Sequence, residues 1–229
     1  MKFSRVIAAF LSGSIKGHFG QWGEDVLIRK LFDRKLSDGF YLDLGAYHPF
    51  THSNTAYFWI KGWSGINVDA NPYTIDLFNK TRPNDQNIWA AIIPHSEYEK
   101  GTREVSLLTS NISNSSAGVS TTGTVLQSVA DQRGFTRKIK VPAKSISIIT
   151  QECGLKKLDY LNIDVEGLDE TVLTELDIER LAPHVISVED YSIGSFDLFN
   201  SKISRIIDEQ GYIFVARAGP TSIFQKNIF

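Results

Sequence analysis

The chain of 229 residues is long enough for a sizeable hydrophobic core, and a single domain is the expected organisation. Its hydrophobic content of 42% and charged content of 22% are ordinary for a soluble globular protein, and its formal net charge of -2 gives no reason to expect nucleic acid or an anionic membrane as a partner. The single cysteine, Cys153, excludes an internal disulfide and a thiolate-rich zinc site. It is compatible with a reducing compartment, and we expect a cytoplasmic location.

The first residues have some features of a targeting segment but do not meet its requirements. A positively charged start, Met1 to Arg5, precedes an apolar run at 6–11. That run is shorter than the roughly 7–15 residues of a signal-peptide core, and no run in the chain approaches the ~20 residues of a membrane span. We therefore expect a peripheral helical extension over residues 1–19 in front of one domain at 20–229. A weak contact of this extension with a membrane surface or a partner is the alternative.

Strand-like and helical patterns alternate along the rest of the chain. The predicted strands lie at 40–44, 66–68, 88–93, 103–109, 138–141, 160–164, 185–189, 212–216 and 221–224. The predicted helices open at 21–25 and lie further on at 56–60, 73–79, 145–153, 167–176 and 196–209. This alternation predicts an α/β fold with a mainly parallel sheet, helices on both of its faces and a closing antiparallel pair.

Three of the predicted strands end in an aspartate. Asp43, Asp69 and Asp164 each follow a short apolar run. In an open parallel sheet, ligands bind beyond the carboxyl ends of the strands, which share one edge of the sheet. We therefore expect these three side chains to form one polar rim.

The turn after the first strand argues against a dinucleotide. A dinucleotide fold needs G-x-G-x-x-G there to seat a pyrophosphate, whereas this chain has only Gly45, with Tyr47 and Pro49 where glycines are expected. Asp69 ends the next strand, where an acid commonly accepts hydrogen bonds from ribose hydroxyls. A ribose without a pyrophosphate indicates S-adenosylmethionine, and Asp43 suits the amino-acid end of that cofactor. The alternative is that Asp43 and Asp69 only end strands and cap turns.

Several short motifs together resemble one enzyme family. They are Q-W-G-E-D at 21–25, G-F-Y-L-D-L-G-A-Y-H-P at 39–49, S-N-T at 53–55, K-G-W-S-G at 61–65, D-A-N-P at 69–72, A-A at 90–91 and L-N-I-D-V-E-G at 161–167. In these motifs, which span roughly residues 20–188, the chain resembles the FkbM-type S-adenosylmethionine-dependent methyltransferases. The resemblance implies a Rossmann-like class I methyltransferase fold, with seven strands of which the last is antiparallel. It also implies methyl transfer to oxygen, often a sugar or natural-product hydroxyl.

The resemblance further implies roles for individual residues. The methionine part would lie at Gly45, the ribose at Asp69 and the adenine against residues 87–91. The implied cofactor-binding residues are Gln21, Glu24, Asp25, Asp43, Gly45, Ala46, Asn54, Asp69, Ala70, Asn71, Ala90, Ala91 and Asp164. Candidates for touching the acceptor and removing its proton are Asp164, Glu166, His48 and His52, and Glu189 is a further carboxylate near the same edge. No metal site is assigned, although Asp164, Glu166 and Glu189 could offer oxygen ligands to Mg²⁺.

Two other interpretations stay open. One is a non-catalytic binding module that keeps the fold and the ligand pocket, and the other is an NAD-dependent enzyme. A long, nearly uncharged stretch at 110–123 is either a mobile surface loop or a contact for a hydroxyl-rich acceptor through Ser115 and Ser116. The sequence names neither the acceptor nor the oligomeric state.

Overall fold

The structure of the chain, a computed structural model, describes residues 17–32, 38–109, 123–191 and 201–227. Strands and helices alternate through these ranges. The strands are β1 (Phe40–Leu44), β2 (Ser64–Asp69), β3 (Gln86–Trp89), β4 (Ala91–Ile92), β5 (Glu104–Thr109), β6 (Gly123–Thr124), β7 (Arg137–Lys144), β8 (Tyr160–Ile163), β9 (Val185–Glu189), β10 (Tyr212–Ala218) and β11 (Thr221–Lys226). The helices are α1 (Glu24–Lys30), α2 (Ala56–Ile60), α3 (Pro72–Thr81), α4 (His95–Glu99), α5 (Gln127–Arg133), α6 (Ile146–Glu152), α7 (Asp169–Glu175), α8 (Ile178–Leu181) and α9 (Lys202–Glu209).

Parts of the sequence-based predictions fall outside the described residues. They are the helical extension up to residue 16, most of the loop at 110–123 with Ser115 and Ser116, and the start of the helix predicted at 196–209. The division into an extension at 1–19 and a domain at 20–229 stays a prediction. No helix within the described ranges combines the length and the apolar character that a membrane crossing requires.

Seven strands form the central sheet, in the order β10-β11-β9-β8-β1-β2-β3. β1 pairs in parallel with β2 and β8, and β3 and β9 extend the parallel part on either side. β11 runs antiparallel to β9 and β10. The predicted α/β fold, with a mainly parallel seven-stranded sheet whose last strand is antiparallel, is therefore confirmed. The strand order reverses beside β1, and the crevice at such a switch point is the usual ligand site of an open α/β sheet.

The two faces of the central strands differ in character. One face is aliphatic and belongs to the main hydrophobic cluster, with Leu42, Leu44, Ile66, Val68, Leu161, Ile163, Ile186 and Val188. The opposite face carries buried aromatic and polar side chains, namely Tyr41, Asp43, Asn67, Tyr160, Asn162 and Ser187. This division follows from the alternation of side chains along a strand. A buried polar layer therefore lies close to the carboxyl ends of the strands, where a ligand is expected.

A second, four-stranded sheet, in the order β4-β7-β5-β6, is inserted between β3 and β8. Its antiparallel strands β5 and β7 are the ones predicted at 103–109 and 138–141. The single strand predicted at 88–93 is wrong. β3 ends in the central sheet at Trp89, whereas β4 begins at Ala91 and pairs with β7. The N–H of Ala90 donates to the Asp69 carbonyl oxygen (3.1 Å), so the chain changes sheets at this residue.

Local capping signals place two of the helices correctly. α3 begins after Asn71, whose side chain accepts a backbone N–H of the first turn (3.0 Å), and Pro72 is its first residue. α6 begins after Ser145, the expected cap. The short helices α4, α5 and α8 are not predicted, because one or two turns carry too few residues to show a helical period.

Candidate active site

A cavity of about 290 Å³ opens at the carboxyl ends of β1, β2, β8 and β9. Most of the predicted site residues line it, namely Gln21, Glu24, Asp43, Gly45, Asn54, Asp69, Ala70, Asn71, Ala90, Ala91, Asp164 and Glu166. The structure thus brings together residues that are far apart in the sequence. Asp25, Ala46 and His48 are not part of this lining.

The turn after β1 needs glycine for two reasons. Gly45 has a φ of 77°, a left-handed conformation that costs a residue with a Cβ roughly 1–2 kcal/mol. A Cβ at this position would also lie 1.7 Å from the carbonyl oxygen of Asp164. The N–H groups of Gly45 and Ala46 donate to the Val68 carbonyl oxygen (2.9 and 3.1 Å), which fixes the turn against β2. Ala46 is buried by this arrangement instead of facing the cavity.

Asp69 ends β2 with its carboxylate held by the backbone. Its Oδ1 accepts from the Asn71 N–H (2.7 Å) and its Oδ2 from the Tyr47 N–H (2.9 Å). Burial raises the pKa of Asp69 to about 6, and these two hydrogen bonds oppose the rise. Because each carboxylate oxygen can accept more than one hydrogen bond, Asp69 keeps acceptor capacity toward the cavity.

Small side chains form the wall beyond β2. Ala90 and Ala91, where the chain crosses between the sheets, line the cavity together with Ala70. Leu107 of β5 lines it from the second sheet. Asn87, at the start of the segment expected against an adenine, does not line the cavity, and its amide donates to a side chain of α3 (3.1 Å). The apolar wall on this side therefore includes the three alanines, Leu107, Ile92 and Val125.

The carboxyl groups of Asp164, after β8, and Glu189, at the end of β9, are hydrogen-bonded to each other. Burial raises the pKa of Asp164 well above its usual range, and the charge of Glu189 raises it further. Burial also raises the pKa of Glu189, whereas its hydrogen bonds with Tyr191 and Asp164 lower it. Both carboxyl groups therefore hold a proton more strongly than a solvent-exposed carboxyl group does, and they titrate as a pair.

Glu166 lines the cavity in a strained backbone conformation. Its φ of 52° is uncommon for a residue other than glycine. Its Oε1 accepts from Arg133 Nη1 of α5 (2.6 Å), and the Arg133 guanidinium also lies 5.8 Å from the centre of the Tyr191 ring. Burial raises the pKa of Glu166, and Arg133 lowers it. Arg133 thus connects α5 to the turn after β8.

The segment before α1 contributes to the cavity through Gln21 and Trp22, and the first residue of α1, Glu24, also lines it. The Glu24 carboxylate accepts from the N–H groups of Gln21 (3.1 Å) and Trp22 (2.7 Å), and these two hydrogen bonds hold the segment against the start of the helix. Asp25 is fully buried and accepts two further backbone N–H groups (3.1 and 3.2 Å). Asp25 therefore supports this segment, whereas Glu24 faces the cavity.

His48 stabilises its own turn instead of facing the cavity. Its Nδ1 accepts from the N–H groups of Phe50 (3.0 Å) and Thr51 (2.9 Å). Burial lowers the pKa of the His48 imidazole. Of the two histidines in this loop, His52 is the one that lines the cavity, with its ring stacked on Tyr47 at a centroid distance of 5.6 Å.

The sequence model of the family described as "Methyltransferase FkbM domain" matches residues 43–214. The chain belongs to this family. The match confirms the predicted resemblance. The matched range contains every acidic residue of the cavity lining except Glu24. Among solved structures, a TehB-like SAM-dependent methyltransferase from Corynebacterium glutamicum ATCC 13032 Kitasato is similar over 99% of this chain and 97% of that chain, with 13% sequence identity and a TM-score of 0.42. None of the curated proteins matches this chain significantly.

The layer of buried polar side chains behind the cavity was not predicted from the sequence. Arg82 is fully buried and donates to Ser53 Oγ (3.2 Å), Thr55 Oγ1 (2.9 Å) and the Pro49 carbonyl oxygen, so it holds the loop that leads to α2. An arginine three residues beyond a predicted helix gives no sign of burial. A signal did exist in Asn162, since a polar residue inside a short apolar strand must point to a polar face.

The charged side chains that line the cavity are mainly acidic. Its lining contains Glu24, Asp43, Asp69, Asp164, Glu166 and Glu189, with Arg133 as a cation. Within the described part of the chain, no group of three or more His, Cys, Asp or Glu side chains is arranged to hold a metal ion. A site with this excess of negative charge attracts a cationic ligand.

Proposed function

We propose that the chain is an S-adenosylmethionine-dependent O-methyltransferase that acts on a hydroxyl of a saccharide or a small-molecule natural product. One observation carries the proposal. Asp69 and Asp164 line a single cavity on either side of Gly45, after the strands that flank β1 at the switch point of the sheet. Membership of the FkbM methyltransferase family supports methyl transfer as the reaction.

The lining suits this cofactor. Asp69 would accept hydrogen bonds from the ribose hydroxyls, and the alanine wall of Ala70, Ala90 and Ala91 leaves room for an adenine ring. Gly45 lets the backbone approach the methionine part closely. The acidic lining matches the positive charges of the sulfonium and ammonium groups. When bound, the cofactor supplies a methyl group that the positively charged sulfur has already activated.

The carboxyl groups after β8 and β9 are the candidates for acid–base chemistry. An alcohol reacts as a nucleophile when its proton is removed during the displacement. Asp164 and Glu189 are hydrogen-bonded to each other and both have raised pKa values, so the pair would receive that proton as a unit. Glu166 would accept a hydrogen bond from the acceptor and orient it. His48 as the base stays a prediction, and the placement of its ring does not support it.

Calorimetry with S-adenosylhomocysteine tests the cofactor assignment. We expect the unmodified chain to bind it and Asp69→Ala to bind at least about tenfold more weakly, because hydrogen bonds from the ribose to a charged acceptor are lost. Unchanged affinity in this variant would contradict the ribose assignment. Binding of NAD without binding of S-adenosylhomocysteine would establish an NAD-dependent enzyme instead.

Methyl transfer to a panel of glycan and natural-product acceptors tests the reaction. With methyl-labelled cofactor, we expect Asp164→Asn and Glu166→Gln to lower the rate by roughly 10²-fold or more, as for loss of a positioned base or hydrogen-bond partner. The affinity of Glu166→Gln for S-adenosylhomocysteine should stay close to that of the unmodified chain, because Glu166 is assigned to the acceptor and not to the cofactor. Binding without transfer to any acceptor would instead favour a non-catalytic binding module.

The proposal extends to the organisation and location of the chain. Residues 20–229 would form the methyltransferase domain, residues 1–19 an N-terminal helical extension, and the protein would act in the cytoplasm. A chain that begins at residue 20 should then bind S-adenosylhomocysteine as tightly as the whole chain. Weaker binding by the shortened chain would show that residues 1–19 are part of the methyltransferase domain.

A further inference from the structure

Asn54 carries an unpaired acceptor at the wall of the cavity. It is a lining residue with only 8% of its surface exposed. Its Nδ2 donates to Asn162 Oδ1 (3.2 Å), whereas no residue in the described ranges donates a hydrogen bond to its Oδ1. A buried carbonyl oxygen without a donor is costly. A ligand that brings a donor would remove that cost.

A series of hydrogen bonds fixes the orientation of this amide. The series begins at Arg82, a fully buried guanidinium, and a guanidinium can only donate. Arg82 Nη1 donates to Thr55 Oγ1 (2.9 Å), and Thr55 directs its own hydrogen to Asp43 Oδ2 (2.6 Å). Asp43 Oδ1 then accepts from Asn162 Nδ2 (2.9 Å).

Asn162 is consequently held with its carbonyl oxygen on the side away from Asp43. That oxygen accepts from Ser187 Oγ (2.6 Å) as well as from Asn54. Rotation of the Asn162 amide would place its NH₂ against these two donors and its oxygen against a carboxylate. Asn54 must therefore turn its own NH₂ toward Asn162 and leave its oxygen for a partner on the other side.

A second acceptor lies beside this oxygen. A Cβ added at Gly20 would lie 2.8 Å from Asn54 Oδ1 and 2.9 Å from Glu24 Oε2, so both oxygens flank the same backbone position. Glu24 lines the cavity and, although it accepts two backbone N–H groups, its carboxylate has capacity for further donors. An amide oxygen next to a carboxylate suits a positively charged group with several N–H donors, which is a primary ammonium.

We propose that Asn54 and Glu24 bind the α-ammonium group of the ligand's amino-acid part. Asp43 and Asn162 are positioning residues that hold the Asn54 carbonyl oxygen toward it. This inference rests on the proposed function, because it takes S-adenosylmethionine and its product as the ligands. It also revises the role expected for Asp43, which lines the cavity but whose carboxylate acts on the ammonium through two amides.

Two ligands separate this subsite from the rest of the cavity. S-adenosylhomocysteine carries the ammonium, whereas 5′-methylthioadenosine shares the adenosine and the sulfur but lacks the amino-acid part. By calorimetry, Asn54→Ala should bind S-adenosylhomocysteine about tenfold more weakly, as expected for a lost hydrogen bond to a charged group. Its affinity for 5′-methylthioadenosine should be unchanged.

Asp43→Asn tests the positioning role. Thr55 must still donate to position 43, so the new amide offers its oxygen there and its NH₂ to Asn162. The amides of Asn162 and then Asn54 therefore have to rotate, so that the oxygen and the NH₂ of each change places. Asn54 then presents its NH₂ to the ammonium instead of its oxygen. We expect at least a tenfold loss for S-adenosylhomocysteine and none for 5′-methylthioadenosine. Asp69→Ala is the matched control, because a ribose contact is shared by both ligands and both should weaken equally.

The outcomes distinguish the inference from the function on which it rests. Equal losses for the two ligands in Asn54→Ala, or no loss for either, overturn the inference and leave the proposed function intact. Asn54→Ala decides the matter alone if Asp43→Asn does not fold. If the unmodified chain binds neither ligand, the proposed function is overturned and the inference with it.

Discussion

Gly45 shows how one backbone position connects three strands. Gly45→Ala combines a left-handed conformation with a Cβ 1.7 Å from a carbonyl oxygen after β8, and neither strand can move without breaking its ladder. Gly62 is a matched control, since its φ is 93° and no atom lies within 4 Å of an added Cβ. We expect Gly62→Ala to cost roughly 1–2 kcal/mol of unfolding free energy and Gly45→Ala to cost more, up to failure to fold. Urea unfolding followed by circular dichroism measures both, and similar losses would contradict the role of the close approach.

Strand-end position brings a side chain to the cavity when the residue is the last of its strand or comes directly after it. Asp69 and Asp164 are such residues, and both line the cavity. Asp43 is different because one more strand residue, Leu44, follows it, so its side chain points to the buried polar face. Its partner Asn162 lies on another strand, far along the chain. Such a pairing depends on strand register, which the sequence alone does not contain.

At the scale of elements, α5 reaches the cavity through Arg133. Arg133→Gln removes a charge and a hydrogen bond that both lower the pKa of Glu166, so this pKa should rise. If Glu166 acts as a carboxylate, the acidic limb of the plot of kcat/KM against pH moves to higher pH. Arg180→Gln is the control, because it removes an exposed ion pair with Asp177 (3.0 Å) on α8. Profiles that coincide for all three proteins would contradict a role for the Arg133 and Glu166 pair.

Apart from β3, the parallel strands of the central sheet were predictable because each contains a short apolar run between turn residues. The second sheet was predictable only in part, because β5 and β7 appear as predicted strands whereas β4 and β6 are two residues long and carry no period. The apolar run at 88–93 is continuous in sequence but belongs to two sheets. The crossing is marked by the hydrogen bond from Ala90 to Asp69 and by the change of strand partner from β2 to β7, and nothing in a run of apolar residues signals such a change.

For the whole molecule, the acidic cavity makes stability depend on pH in a definite direction. Burial raises the pKa of the enclosed carboxyl groups, namely Asp43, Asp69, Asp164, Glu166, Asp169 and Glu189. A carboxyl group with a higher pKa in the folded chain binds its proton more tightly there than in the unfolded chain. Its stabilising contribution is complete below the unfolded pKa of roughly 4 and is lost as pH rises through the folded pKa. The lowered pKa of His48 acts oppositely, but through a single group.

We therefore expect the melting temperature of the ligand-free chain to be higher near about pH 5 than near about pH 7.5. Asp69 contributes directly to this difference, because its pKa of about 6 lies within the interval. Asp69→Asn, which cannot ionise, should reduce the difference even if the variant is less stable at both pH values. Differential scanning calorimetry of both proteins measures it. A melting temperature that rises toward pH 7.5, or an equal difference in the variant, would show that the buried carboxylates do not set the pH dependence. Bound S-adenosylmethionine should raise the melting temperature more at pH 7.5 than at pH 5, because its positive charges face more ionised carboxylates at the higher pH.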